Sequence, residues 1–144
     1  MRHPLHPALV HFPVACWSLA TAADLASLAF GEPAWRFAGI VLLTGIGFSI
    51  PAMLAGFLEL ARLGPDSPAI KDVNRHMLMV MCALACYVTS LFLRLHGTTL
   101  IAPGLLSIGL SMLGFLCLGV AGWLGGKLVY GHRLGVSPPD ETSG

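Results

Sequence analysis

The sequence predicts an all-α integral membrane protein, a four-helix bundle running up-down-up-down with both termini cytoplasmic. Three observations predict it. Charged residues make up only 10% of the 144, and hydrophobic residues 56%, against roughly 25% charged in ordinary soluble domains. Uncharged runs extend from Phe37 to Leu58, from Met77 to Leu93 and from Gly97 to Gly126, and a fourth, Pro7 to Phe30, is interrupted only by Asp24. A bilayer span needs about 20 such residues. Between the runs stand glycines and prolines at helix-stop and helix-start positions. The spans form one domain over residues 1–136, and 137–144 (SPPDETSG) reads as a disordered tail.

The punctuation places the helices in order. The first covers 7–30, closed by Gly31; its His/Pro-rich entry and its late acid, Asp24, are wrong for a cleavable signal peptide, so it is expected to remain in the mature chain. The second covers 34–63, opened by Pro33 in its first turn and closed by Gly64. The third covers 68–96, between Pro68 and Gly97, and the fourth 103–130, between Pro103 and Gly131. Connections this short set neighbouring helices antiparallel. No stretch repeats another at a fixed period.

Charge sets the orientation. Four antiparallel spans collect Arg2, Arg62, Lys71, Arg75, Lys127 and Arg133 on one side and only Arg36 and Arg94 on the other. The cation-rich side is the cytoplasmic one by the positive-inside rule. A net charge of +1, with the basic residues scattered at helix ends, excludes nucleic acid as a partner. Trp35, Trp123 and Tyr130 read as interfacial belt residues.

Chemistry-bearing residues gather on the same side. His3, His6, His11, Glu59, Asp72, Arg75, His76, Lys127, Tyr130 and His132 fall toward the cytoplasmic half. His11 lies about 6 Å along the first helix and His76 about 12 Å along the third, at 1.5 Å per residue. The first and third helices lie on the diagonal of a simple bundle, so these imidazoles can face each other across the core as two metal ligands, a geometry suited to axial ligation of haem. His3, His96 and His132 read as interfacial residues, and His6 as a helix-entry group. A structural role for His11, donating to carbonyls freed by Pro13, competes evenly with ligation. Asp72 shares a face with His76 and is placed to support it. Glu59 is placed to pair with Arg75 or to relay protons. Asp24 is too far from His11 to share a site and is expected to pair with Arg94 or Arg36. Cys16, Cys82, Cys86 and Cys117 lie within the spans without a metal-binding spacing. The fourth helix carries Gly122 and Gly126 in a Gly-x-x-x-Gly spacing, which predicts close packing on the first helix or on a second subunit.

The entry His3-Pro4-Leu5-His6-Pro7-Ala8-Leu9-Val10-His11-Phe12-Pro13, the acids Asp24 and Glu59, His76, and the stretch from Gly122 to Tyr130 resemble the small bacterial membrane proteins grouped as domain of unknown function 2231. The resemblance runs from His3 to Val136. It implies a multi-pass protein of the bacterial inner membrane. Related modules joined to Rieske-type or cytochrome-type redox domains imply electron transfer with b-type haem, held on matching positions by His11 and His76 with His6 as the substitute. This chain has no redox domain of its own, which implies a membrane redox partner, with quinone as a possible one. Glu59 stands where the family more often carries aspartate.

The leading functional expectation is therefore a haem-b electron carrier exchanging electrons with quinone or a membrane partner, with Glu59, Asp72, Arg75 and Tyr130 as supporting or proton-relay groups. Two alternatives compete. One is a non-redox accessory subunit of a larger complex, packed or self-associated through the fourth helix. The other is a metal or proton transporter using His6, His11, Glu59 and His76. No serine-hydrolase set, phosphate-cradling loop or His-Glu-x-x-His motif supports a stand-alone enzyme.

Overall fold

The structure, a computed structural model, describes residues 5–64 and 66–134. It contains α1 (Leu5–Phe30), α2 (Glu32–Leu60), α3 (Ile70–Leu93), a two-stranded ribbon of β1 (Leu95–His96) and β2 (Thr99–Leu100), and α4 (Leu105–Tyr130). All four helices are long and apolar enough to cross a membrane. His3 and the tail 137–144 lie outside the described residues.

Local chemistry explains the boundaries. Gly31 alone joins α1 to α2, at φ +65, a left-handed conformation that a side chain would strain. Pro33 follows in the first turn of α2, where its missing N–H leaves nothing unpaired. Pro13 and Pro51 sit inside α1 and α2, as membrane helices tolerate when neighbours cover the freed carbonyls.

The third helix ends at Leu93 rather than at 96. Arg94 turns its side chain into the core, and the chain then reverses through a hairpin pairing Leu95 with Leu100 and His96 with Thr99. Gly97 takes φ +64 at the first central position, the type II′ pattern that matches strand twist. Thr99 Oγ1 donates to the His96 carbonyl, 2.8 Å. Leu100 packs the hairpin on α2: a Cβ on Gly39 would lie 2.8 Å from its terminal methyl, so a larger residue there would displace the leucine.

The exterior is as apolar as the core, and charge is buried within it. Arg94, Tyr87, Leu42, Asp24, Ser90 and Ser111 are the largest fully buried side chains, while Phe30, Phe92 and Leu105 are among the many large apolar residues left outside. That is the arrangement a lipid solvent selects, because lipid gives no reason to hide leucine and every reason to hide charge. α1 packs chiefly on α2 and α3 on α4, and the two hairpins meet more thinly. Trp17 of α1 stacks on Tyr87 of α3, ring centroids 4.9 Å apart. Gly45 makes room for Trp17 and Gly114 for Tyr87; an added Cβ would lie 2.6 and 3.0 Å from those rings.

A repeat that residue identity conceals emerges from the buried positions. Those of α1 are Pro13, Trp17, Ala20, Thr21 and Asp24; those of α3 and the residue that caps it include Ala83, Tyr87, Ser90, Leu91 and Arg94. Each pair is offset by 70 residues, the separation of Trp17 from Tyr87 and of Asp24 from Arg94. The buried residues of α2, namely Ala38, Gly39, Leu42, Gly45, Ser49 and Ala52, recur in α4 as Ser107, Ile108, Ser111, Gly114, Leu118 and Ala121, at an offset one residue shorter. The expectation of no internal repeat is corrected here: the pattern of burial repeats although most side chains have changed.

Gly45→Ala forces its methyl against the Trp17 indole, so thermal unfolding in detergent should show a loss of about 1–3 kcal/mol, as overpacking does. Gly122→Ala meets open space and should leave the transition within experimental error of the parent.

Candidate functional site

Two polar centres occupy opposite ends of α1. At its start, His6 rests against Gly56 of α2, and its Nδ1 lies 2.8 Å from the Ala52 carbonyl oxygen. Its backbone N–H points to Glu59 Oε1 at 3.4 Å. In the other hairpin, His76 of α3 rests against Gly125 of α4, with Nδ1 2.9 Å from the Ala121 carbonyl oxygen. A carbonyl oxygen only accepts, so Nδ1 carries the proton in both rings. A neutral imidazole then keeps its lone pair on Nε2. Both rings are half-buried.

The other expected residues distribute around this pair. His11 is exposed on α1; five residues beyond His6, it is turned about 140° around the helix, so the structure brings His6 rather than His11 into the position related to His76. Asp72 is buried and supports other groups than His76: Lys127 Nζ at 2.9 Å, His132 Nε2 at 3.0 Å and, more distantly, Arg75 at 3.8 Å. Arg75 is thus beside Asp72 rather than Glu59. Tyr130, 88% exposed, stands on the outside of α4. Gly122 and Gly126 have open space where a Cβ would go, so neither packs on α1.

His132 is a residue that sequence reasoning assigned to the interface and that instead closes on Asp72. Its signal was present: a histidine just beyond a helix that ends beside a helix-starting aspartate. Ala52, Gly56, Ala121 and Gly125, which seat the imidazoles, carried no readable signal, because small residues in a membrane helix are common packing elements.

At the far end of α1 lies the second centre. The Arg94 guanidinium donates from Nη1 to Asp24 Oδ1 at 2.7 Å and from Nη2 to Oδ2 at 2.9 Å, with both side chains fully buried. Arg36 is engaged elsewhere, with Glu32 at 2.7 Å on the exposed surface, so Arg94 alone takes the acid. Arg94 Nη2 also donates to Ser90 Oγ at 2.7 Å, and Nε to the Ser90 carbonyl at 3.2 Å. Ser90 donates to the Ser107 carbonyl, 2.7 Å, and lies 3.0 Å from Ser111 Oγ. Thr21 and Tyr87 hydroxyls, 2.9 Å apart, continue the network toward the Trp17 carbonyl. The bidentate pairing satisfies the charge where solvent cannot.

The four cysteines are free and half-buried. Among the described residues no three His, Cys, Asp or Glu side chains converge as a metal cluster.

Four apolar spans, an apolar exterior and charges that are buried only as a pair define a multi-pass α-helical membrane protein, which implies a lipid bilayer around it. The chain belongs to the family described as predicted membrane protein (DUF2231), whose model matches residues 2–138. No curated protein and no solved structure matches it.

Removing one partner of the buried pair leaves an uncompensated charge, which typically costs about 3–5 kcal/mol. Asp24→Ala should therefore lower the unfolding midpoint in detergent sharply, and the double variant Asp24→Leu with Arg94→Met should recover most of the loss. A double variant no more stable than Asp24→Ala would show that the polar network, not the charge balance, sets the cost.

Proposed function

We propose that this chain is a membrane electron-transfer protein of the bacterial inner membrane that holds b-type haem between histidines and exchanges electrons with quinone or a membrane redox partner. The observation that carries the reading is the pair of imidazoles, one per hairpin, each anchored through Nδ1 to a carbonyl of the neighbouring helix, with no partner for Nε2 among the described residues. Such anchoring fixes tautomer and ring orientation and raises the basicity of the opposite nitrogen, the support that metal-ligating histidines receive. It applies to His6 and His76.

The residues fit the group in their donor chemistry, two neutral imidazoles of the kind that hold b-type haem, each ring seated against a glycine. Bound there, haem would supply one-electron chemistry between its ferrous and ferric states. The chain's own residues would ligate, orient and shield: Ala52 and Ala121 accept the Nδ1 protons, and Glu59 holds the entry of α1. The Asp72, Lys127 and His132 cluster ties the start of α3 to the end of α4.

The same reading includes an up-down-up-down arrangement with both termini cytoplasmic. Support comes from Arg62, Lys71, Arg75, Lys127 and Arg133 at the imidazole-bearing end. A second reading, an accessory subunit that packs α4 on another protein or a second copy, is favoured by Gly109, Gly119, Gly122 and Gly126, all with open space above the backbone.

Protein purified from cells supplied with haem should show a Soret band that His76→Ala abolishes or converts to a high-spin form. A colourless preparation that retains a stoichiometric large partner would overturn the electron-carrier reading in favour of the accessory-subunit one.

A further inference from the structure

The burial repeat has a geometric meaning. When two similar units are related by a two-fold axis, residues on the axis touch their own counterparts. Here Trp17 stacks on Tyr87 and Asp24 pairs with Arg94, and both are counterpart pairs at the same offset of 70. The supporting contacts recur too: Gly45 lies beneath Trp17 as Gly114 lies beneath Tyr87. The axis therefore runs between α1 and α3, with the hairpin α1–α2 on one side and α3–α4 on the other.

His6 and His76 are also counterparts, and so are their seats. His6 bonds to Ala52 across a separation of 46 residues and His76 to Ala121 across 45. Gly56 and Gly125 lie four residues beyond those alanines and touch the rings. Most buried positions changed identity between the two hairpins, but the imidazole, the accepting alanine and the glycine seat are the same residues in both. The two seats are each about 16 Å along their helices from the Trp17–Tyr87 pair, at eleven residues and 1.5 Å per residue.

We propose that the chain is a duplicated helical hairpin and that one transition-metal centre binds on its pseudo-two-fold axis, ligated by Nε2 of His6 and Nε2 of His76 as equivalent partners. The assignment rests on the haem reading for the identity of the group and on the internal symmetry for the identity of its ligands. His11 is excluded from it, because its counterpart is Met81 and both face outward. Gly56 and Gly125 are positioning residues, since a methyl at either would press on a ring from 3.0 and 3.4 Å.

The test uses the full chain in detergent with two probes, haemin and Cu2+, on the parent and on His6→Ala, His76→Ala and His11→Ala, with thermal unfolding of each metal-free protein as the folding control. The expected result is a low-spin haem spectrum in the parent and in His11→Ala. It should be lost in His6→Ala and His76→Ala alike, with Cu2+ electron paramagnetic resonance reporting two imidazole nitrogens that fall to one in either variant. Gly125→Ala, which keeps both ligands, should retain haem with weaker affinity, about tenfold as for other supporting contacts. A parent that binds haem in low-spin form but depends on His11 and not on His6 would overturn the ligand assignment and leave the electron-carrier reading standing. A parent that rejects haemin yet holds Cu2+ through both histidines would overturn the haem reading and leave the axial pair standing. Failure with both probes in a folded protein would overturn both.

Discussion

The buried ion pair between Asp24 and Arg94 is the constraint on which the rest of the structure depends. An isolated charge in hydrocarbon is prohibitively unfavourable, so each of these residues is tolerable only while the other is in place. The pairing locks the late part of α1 to the end of α3, and the remaining guanidinium hydrogens require acceptors at the same depth. Ser90 and Ser111 meet that requirement, and Ser107 accepts from Ser90 in turn, while the neighbouring Thr21 and Tyr87 hydroxyls bond to each other. Small hydroxyl-bearing residues also let the helices approach closely, so satisfying the charge and packing the bundle are one solution. The exterior is then free to be apolar throughout.

Much of this was legible in the residues. Long uncharged runs, terminal glycines and first-turn prolines located four helices to within two or three residues, since lipid imposes length and composition almost regardless of context. The partner of Asp24 was legible as one of two arginines, because an intramembrane acid needs a cation and few were in reach. The ribbon after α3 was not, since a run of apolar residues through Leu93-Arg94-Leu95 fits a continuing helix until Arg94 is seen turning inward. The imidazole seats escaped for a different reason. Depth along a helix could be estimated for His11 and His76, but the face each presents depends on how the helix is rotated, and His11 is on the outer face of α1 while His6 is on the inner one.

The repeat was illegible for a third reason. Side-chain identity diverged at most buried positions while burial was largely kept, so comparing letters finds little and comparing environments finds the pattern. Contacts within each hairpin are dense and those between hairpins sparse, which makes each hairpin the natural unit of rigidity. Each imidazole is fixed by a bond inside its own hairpin. A small movement of one hairpin relative to the other would change the gap between the rings without disturbing either seat.

The two on-axis pairs carry a consequence for how such a protein could come to exist. A symmetric assembly of two identical hairpins must present every axial residue to a copy of itself, so an aspartate there would face an aspartate and an arginine an arginine. Joining the halves in one chain lifts that restriction and lets the axis hold complementary partners, acid against base and indole against phenol. Covalent linkage is thus what permits a buried ion pair at the centre of an otherwise symmetric design, and a lone hairpin of either kind is barred by its own charge from rebuilding the bundle with its twin.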